Sequence, residues 1–184
     1  MTPLKPSVRF LAVLALVGGL SSSLCAEDQA SVEKTKVPVK ATVVNAQLWN
    51  NEPVGNIEVV YADGTRDRWT TKGSCGLPRV AADGTVGWTV FEPEHPSQSA
   101  SYTVRPNGYL VVCRRGKVLC RVLSALSYIE EWDFSKDGKH FVVKSRRLHG
   151  SAKVELMETE TGKVVMELEA SADKLPEWAA PYHE

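Results

Sequence analysis

Downstream of residue 26 the sequence lacks every common motif for nucleophilic, zinc-hydrolytic or phosphate-handling chemistry. Gly-x-Ser-x-Gly, His-Glu-x-x-His, the P-loop and Gly-x-Gly-x-x-Gly are all missing. Cysteine is too sparse for a structural zinc site: only Cys75, Cys113 and Cys120 follow Cys25, with no Cys-x-x-Cys pair. His95, His140, His149 and His183 are dispersed along the chain. No cofactor is expected from this inventory. Neither charge sign is in excess, since 22 Lys plus Arg balance 22 Asp plus Glu, so no global basic field exists to attract nucleic acid. The longest apolar run, Phe10 to Leu20, is cut by Gly18-Gly19 and falls short of the roughly 20 residues a membrane-spanning helix needs.

That apolar run has a different meaning. Lys5 and Arg9 precede it, and Ser21-Ser22-Ser23-Leu24-Cys25-Ala26 supplies small residues before Glu27-Asp28, which is the pattern of a secretory signal peptide over residues 1–26. Cleavage is expected after Cys25 or Ala26, with a secreted or periplasmic product. Cys25 invites a lipoprotein reading, but Leu24 stands directly before it where lipid-modified signals carry a small residue. Loss of the leader leaves 20 basic against 22 acidic residues in about 158 positions, enough for one domain with its own core.

Residues 27–40 are charged and lack a sustained apolar period, and read as a flexible lead-in. The all-β domain is placed at 41–172. Alternation such as Ile57, Val59, Tyr61 and Tyr109, Val111, Cys113 is the period of a half-buried strand. Asp63-Gly64, Asp83-Gly84, Asn107-Gly108 and Asp137-Gly138 punctuate these segments, with Thr161-Gly162-Lys163 as a weaker fifth member. Asp-Gly and Asn-Gly are strong hairpin signals, because glycine takes positive φ without a Cβ clash and Asp or Asn tolerates the left-handed region beside it. Strands are expected at 56–62, 65–71, 78–82, 85–91, 100–105, 109–114, 117–123, 128–134, 139–146, 152–158 and 163–169. Residues 173–184 form a tail in which Asp173 could cap a turn or two of helix kept short by Pro176 and Pro181.

Two hairpins are alike. Pro78 to Trp88 aligns with Trp132 to Val142, placing Gly84 and Gly138 in register, and Val154 to Met166 ends in a Thr-Gly-Lys turn before its last strand. This pattern resembles the blades of WD-repeat-like β-propellers: an aromatic or proline, a turn with Asp-Gly, then a strand, followed by an outer hairpin with Thr-Gly-Lys. The resemblance covers roughly residues 56–170 and implies a propeller-like fold. At about 40 to 45 residues per blade the chain holds about two and a half, fewer than the four or more of a closed ring. The array is therefore incomplete, or copies associate as a homo-oligomer to close a ring, or the hairpins make an ordinary β-sandwich.

Candidate site residues are few. Cys113 and Cys120 flank the turn Arg114-Arg115-Gly116-Lys117. A turn centred on Arg115-Gly116 sets Cys113 opposite Val118, diagonal to Cys120, and one centred on Gly116-Lys117 sets the two cysteines opposite each other. Either way alternation keeps them on one face, as a disulfide or as two small buried hydrophobes. Arg114, Arg115, Lys117 and Arg121 make a basic tip or an edge guarded by charge. His95 lies in a loop with Glu92 and Glu94 and reads as a solvated tip rather than a metal site. Glu130, Glu131, Asp133 and Asp137 are the place to seek an acid–base pair. Alternation sends Glu130 to the face of Trp132 and Phe134, where a raised pKa would suit acid catalysis. Among the five tryptophans, Trp88 and Trp132 read as core, while Trp49 and Trp178 are the candidates for exposed ligand contacts, with His149 as a third binding residue. The favoured function is a non-catalytic extracytoplasmic module binding protein, peptide or glycan. The alternative is an extracytoplasmic hydrolase using Glu130 and Glu131 with His149 or His95.

Overall fold

The computed structural model describes residues 36–49, 52–91, 107–147 and 149–184. The leader and most of the lead-in lie outside these residues, as do His95 and the expected strand at 100–105. Among the described residues no helix is long and apolar enough to cross a membrane.

Apart from one 3-10 turn, the regular structure of the described residues is all antiparallel strand, arranged as successive layers. The first layer holds β1 (Pro38–Trp49), β2 (Glu52–Tyr61) and the short β3 (Arg66–Arg68), with β2 paired to both neighbours. A first blade follows as a four-strand meander of β4 (Cys75–Val80), β5 (Val86–Phe91), β6 (Asn107–Arg114) and β7 (Lys117–Leu123). A second blade repeats it with β8 (Tyr128–Phe134), β9 (His140–Arg146), β10 (Lys153–Glu158) and β11 (Val164–Glu169). One pair, Gly55 with Cys75, joins the first layer to the first blade, and no such pair joins the two blades. In each blade every strand pairs with its neighbour in sequence, the topology of a propeller blade and not of a Greek-key sandwich. The fold is all-β and propeller-like.

Three apolar layers hold the stack together. Ile57, Val59 and Tyr61 of β2 meet Val86, Trp88, Val111 and Cys113 of the first blade. On that blade's other side, Leu110, Val112, Cys120 and Val122 meet Ile129, Trp132, Phe141, Val143 and Met157 of the second. Finally, residues of the tail, Ala179 and Tyr182 with Leu175 and Trp178 beside them, cover Val142 and Val154 on the far face of the second blade. The tail turns at Pro176 and ends in a single 3-10 turn, Ala180–Tyr182, without a side-chain cap.

The Asp-Gly turns form hairpins by a route other than the one expected. Gly64, Gly84 and Gly138 take positive φ, whereas Asp63, Asp83 and Asp137 do not. Each aspartate carboxylate instead accepts the backbone N–H two residues on, from Thr65 and Thr85 at 2.9 Å and from Lys139 at 3.0 Å. Glycine supplies the left-handed residue and aspartate a local hydrogen bond. Asn107-Gly108 is not a turn at all: Asn107 pairs with Phe91 inside the β5–β6 ladder, and Gly108 is the extra residue of a bulge. β1 carries no turn signature of its own and was not among the expected strands; two irregularities in its pairing with β2 blur its alternation.

Candidate functional site

Bulges decide where the predicted site residues point. Arg115 and Gly116 both take positive φ, so the β6–β7 turn has two residues and Cys113 pairs with Val118. The next pair is Val112 with Cys120, leaving Leu119 as a bulged residue. That extra residue shifts alternation by one, so Cys113 packs toward the first layer and Cys120 toward the second blade. No disulfide joins them in this structure, where the two thiols are free and on opposite faces. Burial pushes the Cys113 thiol up to about 12 and the Cys120 thiol to about 11.

The acidic strand is corrected by the same device. Ile129 pairs with Ser145 and Glu131 with Lys144, so Glu130 is bulged. Ile129 and Trp132 share the face between the blades, and Glu130 turns out to solvent. It accepts from Arg146 Nε at 2.8 Å and lies 3.7 Å from Lys144 Nζ. Its charge is thus taken up by two cations of β9. His149 is exposed on the bend between β9 and β10. Trp178 is half-buried against the second blade. Trp49 ends β1. Trp88 and Trp132 are core residues, as their sequence neighbours indicated. Among the described residues no group of three or more His, Cys, Asp or Glu could hold a metal ion.

Three polar arrangements stand out. Along one rim, Arg114 ties the blades: its Nε donates to Thr85 Oγ1 at 2.7 Å, its Nη2 lies 3.0 Å from Asp83, and its Nη1 pairs with Glu160 of the second blade. Between the blades, Glu155 is 5% exposed and its Oε2 has no hydrogen-bond partner, and buried Ser145 Oγ on the neighbouring strand has none either. Burial raises the Glu155 pKa, with the Glu167 charge adding and Lys153 opposing. A bare buried carboxylate is costly, so the protonated form is favoured there.

At the inner edge, β8 is the terminal strand of its sheet. Asp133 pairs with Val142 and Glu131 with Lys144, which puts both carboxylates on the face the tail covers. Tyr182 is 6% exposed in that cluster. Its pKa is pushed up to about 12 by burial first, then by Asp133 and Glu131, with Arg79 of β4 opposing. The phenol therefore stays protonated at neutral pH, and Arg79, Glu131, Asp133 and Tyr182 share one neighbourhood. Sequence reading singled out the carboxylates but missed Arg79 and Tyr182, because only docking of the tail brings Tyr182 to β8. Another signal was available: Gly116-Lys117-Val118-Leu119 and Gly162-Lys163-Val164-Val165 begin equivalent outer strands, each bulged at the fourth residue.

Comparison with known proteins gives no family model and no curated protein that matches this chain. Solved structures do align. Acylaminoacyl peptidase from Pyrococcus horikoshii superposes with a TM-score of 0.44 at 14% identity, over 74% of this chain and 25% of that one. The β-propeller domain of the Trilobed protease from Pyrococcus furiosus gives 0.44 at 13%, over 73% and 43%. TolB from Acinetobacter baumannii gives 0.24 at 17%, over 71% and 41%. The chain thus spans between a quarter and under half of these proteins.

Proposed function

We propose that this chain is a non-catalytic, extracytoplasmic interaction module of WD-type repeats. In this reading it binds a polypeptide at the inner edge of the second blade, taking a basic side chain between Glu131, Asp133 and the Tyr182 phenol. The observation that carries it is the cluster at the terminal strand β8: Glu131 and Asp133 lie beside the Tyr182 phenol, two carboxylates against the one cation of Arg79, which suits a cationic donor from outside. An ammonium or guanidinium supplies that donor, and the carboxylates supply the countercharge. The leader signature of residues 1–26 supports placement outside the cytoplasm. The hydrolase reading gains nothing from Glu130, which is taken up by Arg146 and Lys144.

The test is a titration of the chain with a fluorescent lysine-rich peptide and a glutamate-rich peptide of equal length. The lysine-rich peptide is expected to bind, with Tyr182→Phe and Asp133→Asn each weakening it about fivefold, the worth of one hydrogen bond of about 1 kcal/mol. Equal affinity for both peptides, or no effect of either substitution, would sink the proposal.

A further inference from the structure

Exposed apolar side chains fall in two sets among the described residues: Val37, Val39 and Leu48 at the first layer, and a larger set on the outer strands of the two blades. β7 and β11 are the outer strands of adjacent blades, and the turn before β11 rests on β7: a Cβ at Gly162 would meet Val122 at 2.7 Å and Cys120 at 3.1 Å. Val118 and Leu123 on β7, and Val164, Val165 and Met166 on β11, are all exposed. They project from different faces of their sheets but share one outer wall, the edge of two adjacent blades, where one partner can reach several of them. Simple strand addition is obstructed there, because both strands are bulged, at Leu119 and at Val165, which breaks the row of outward backbone groups. A partner must meet this wall with side chains.

Charge identifies the partner. Exposed Arg115, Lys117 and Arg121 sit at the β7 side, with no ion pair among the described residues and no acidic residue between Asn107 and Leu123. The β11 side carries Glu160, Glu167 and Glu169 against the single Lys163, all exposed; Glu160 is bridged to Arg114 and Glu167 to Lys153. One wall thus holds a basic strand beside an acidic strand, with apolar side chains on both. We infer that the wall docks against the same wall of a second copy, across a twofold axis that lays β7 of each copy over β11 of the other. Such an isologous contact matches cation to anion twice and buries the two apolar sets together. In an antiparallel crossing centred on the equivalent residues Cys120 and Met166, Lys117 meets Glu169 of the second copy. This surface is separate from the inner edge, so it stands or falls independently of peptide binding.

Sedimentation of the chain over a range of concentration and salt is the test. A monomer–dimer equilibrium is expected that weakens as salt rises, since exposed pairs are screened. Val165→Asp should weaken it about tenfold or more, because each substitution counts twice in a symmetric contact. Lys117→Glu and Glu169→Lys should each weaken it, and the double variant should regain most of the loss. These positions are exposed, so unchanged thermal unfolding should accompany every variant. A monomer at all concentrations, a dimer indifferent to Val165→Asp, or a double variant no better than the single ones would overturn the inference.

Discussion

The two blades share one topology and the same Asp-Gly inner turn, yet they are unlike at the place where they touch. The first offers a hollow: β4 is interrupted between Gly76 and Arg79, Leu77 takes a positive φ of 45°, and β5 has Gly87 where a Cβ would lie 2.4 Å from Trp132. The second offers the knob. Trp132, fully buried, lies across Gly87 and donates from Nε1 to the Leu77 carbonyl at 2.9 Å, with Phe134 and Phe141 edge-on to it. At the aligned position the first blade has Pro78. A repeat can keep its turns and strand order while its faces diverge, because turns answer to local geometry and faces answer to a neighbour.

Breaking the knob should have the largest effect. Trp132→Ala empties the junction and orphans the Leu77 carbonyl, and a loss of about 3 to 5 kcal/mol is expected in urea unfolding. Filling the hollow comes next: Gly87→Ala forces the indole aside for about 1 to 3 kcal/mol. In Trp132→Ala the same glycine substitution should lose most of that cost, and an unchanged cost would show that the ring is not what Gly87 accommodates. The smallest effect concerns Glu155 in the same junction. Its folded-state pKa is raised above the ordinary 4.5, so the stability of the neutral form is present below that value. It is lost as pH rises through the raised pKa. Glu155→Gln should flatten this part of the stability–pH curve and gain about 1 kcal/mol at neutral pH, measured by unfolding at a series of pH values.

Much of the fold was legible in the sequence because turn chemistry is local. Asp-Gly and Thr-Gly-Lys placed the hairpins of both blades, and β8 was bounded to the residue. The three bulges near Leu77, Leu119 and Glu130 were not legible, since an extra residue in one strand is defined only by its partner across the ladder. Each slip inverted the faces beyond it, which is why Cys113 and Cys120 were put together and Glu130 was put beside Trp132. The candidate site was half legible. Glu131 and Asp133 stood out as acids on a strand, but Tyr182 lies some fifty residues away in the chain and joins them only through the tail's packing on Val142.

Because the apolar layers follow one another in chain order, cohesion is largely a nearest-neighbour property. Such a stack frays like a zipper. Release of Tyr182 and Trp178 would uncover Val142 and Val154 and loosen the second blade while the Tyr61–Trp88 layer held. The residues proposed to receive a ligand at Tyr182 thus sit at the end where the molecule would open first, and a bound side chain there would act as a clasp on the whole array.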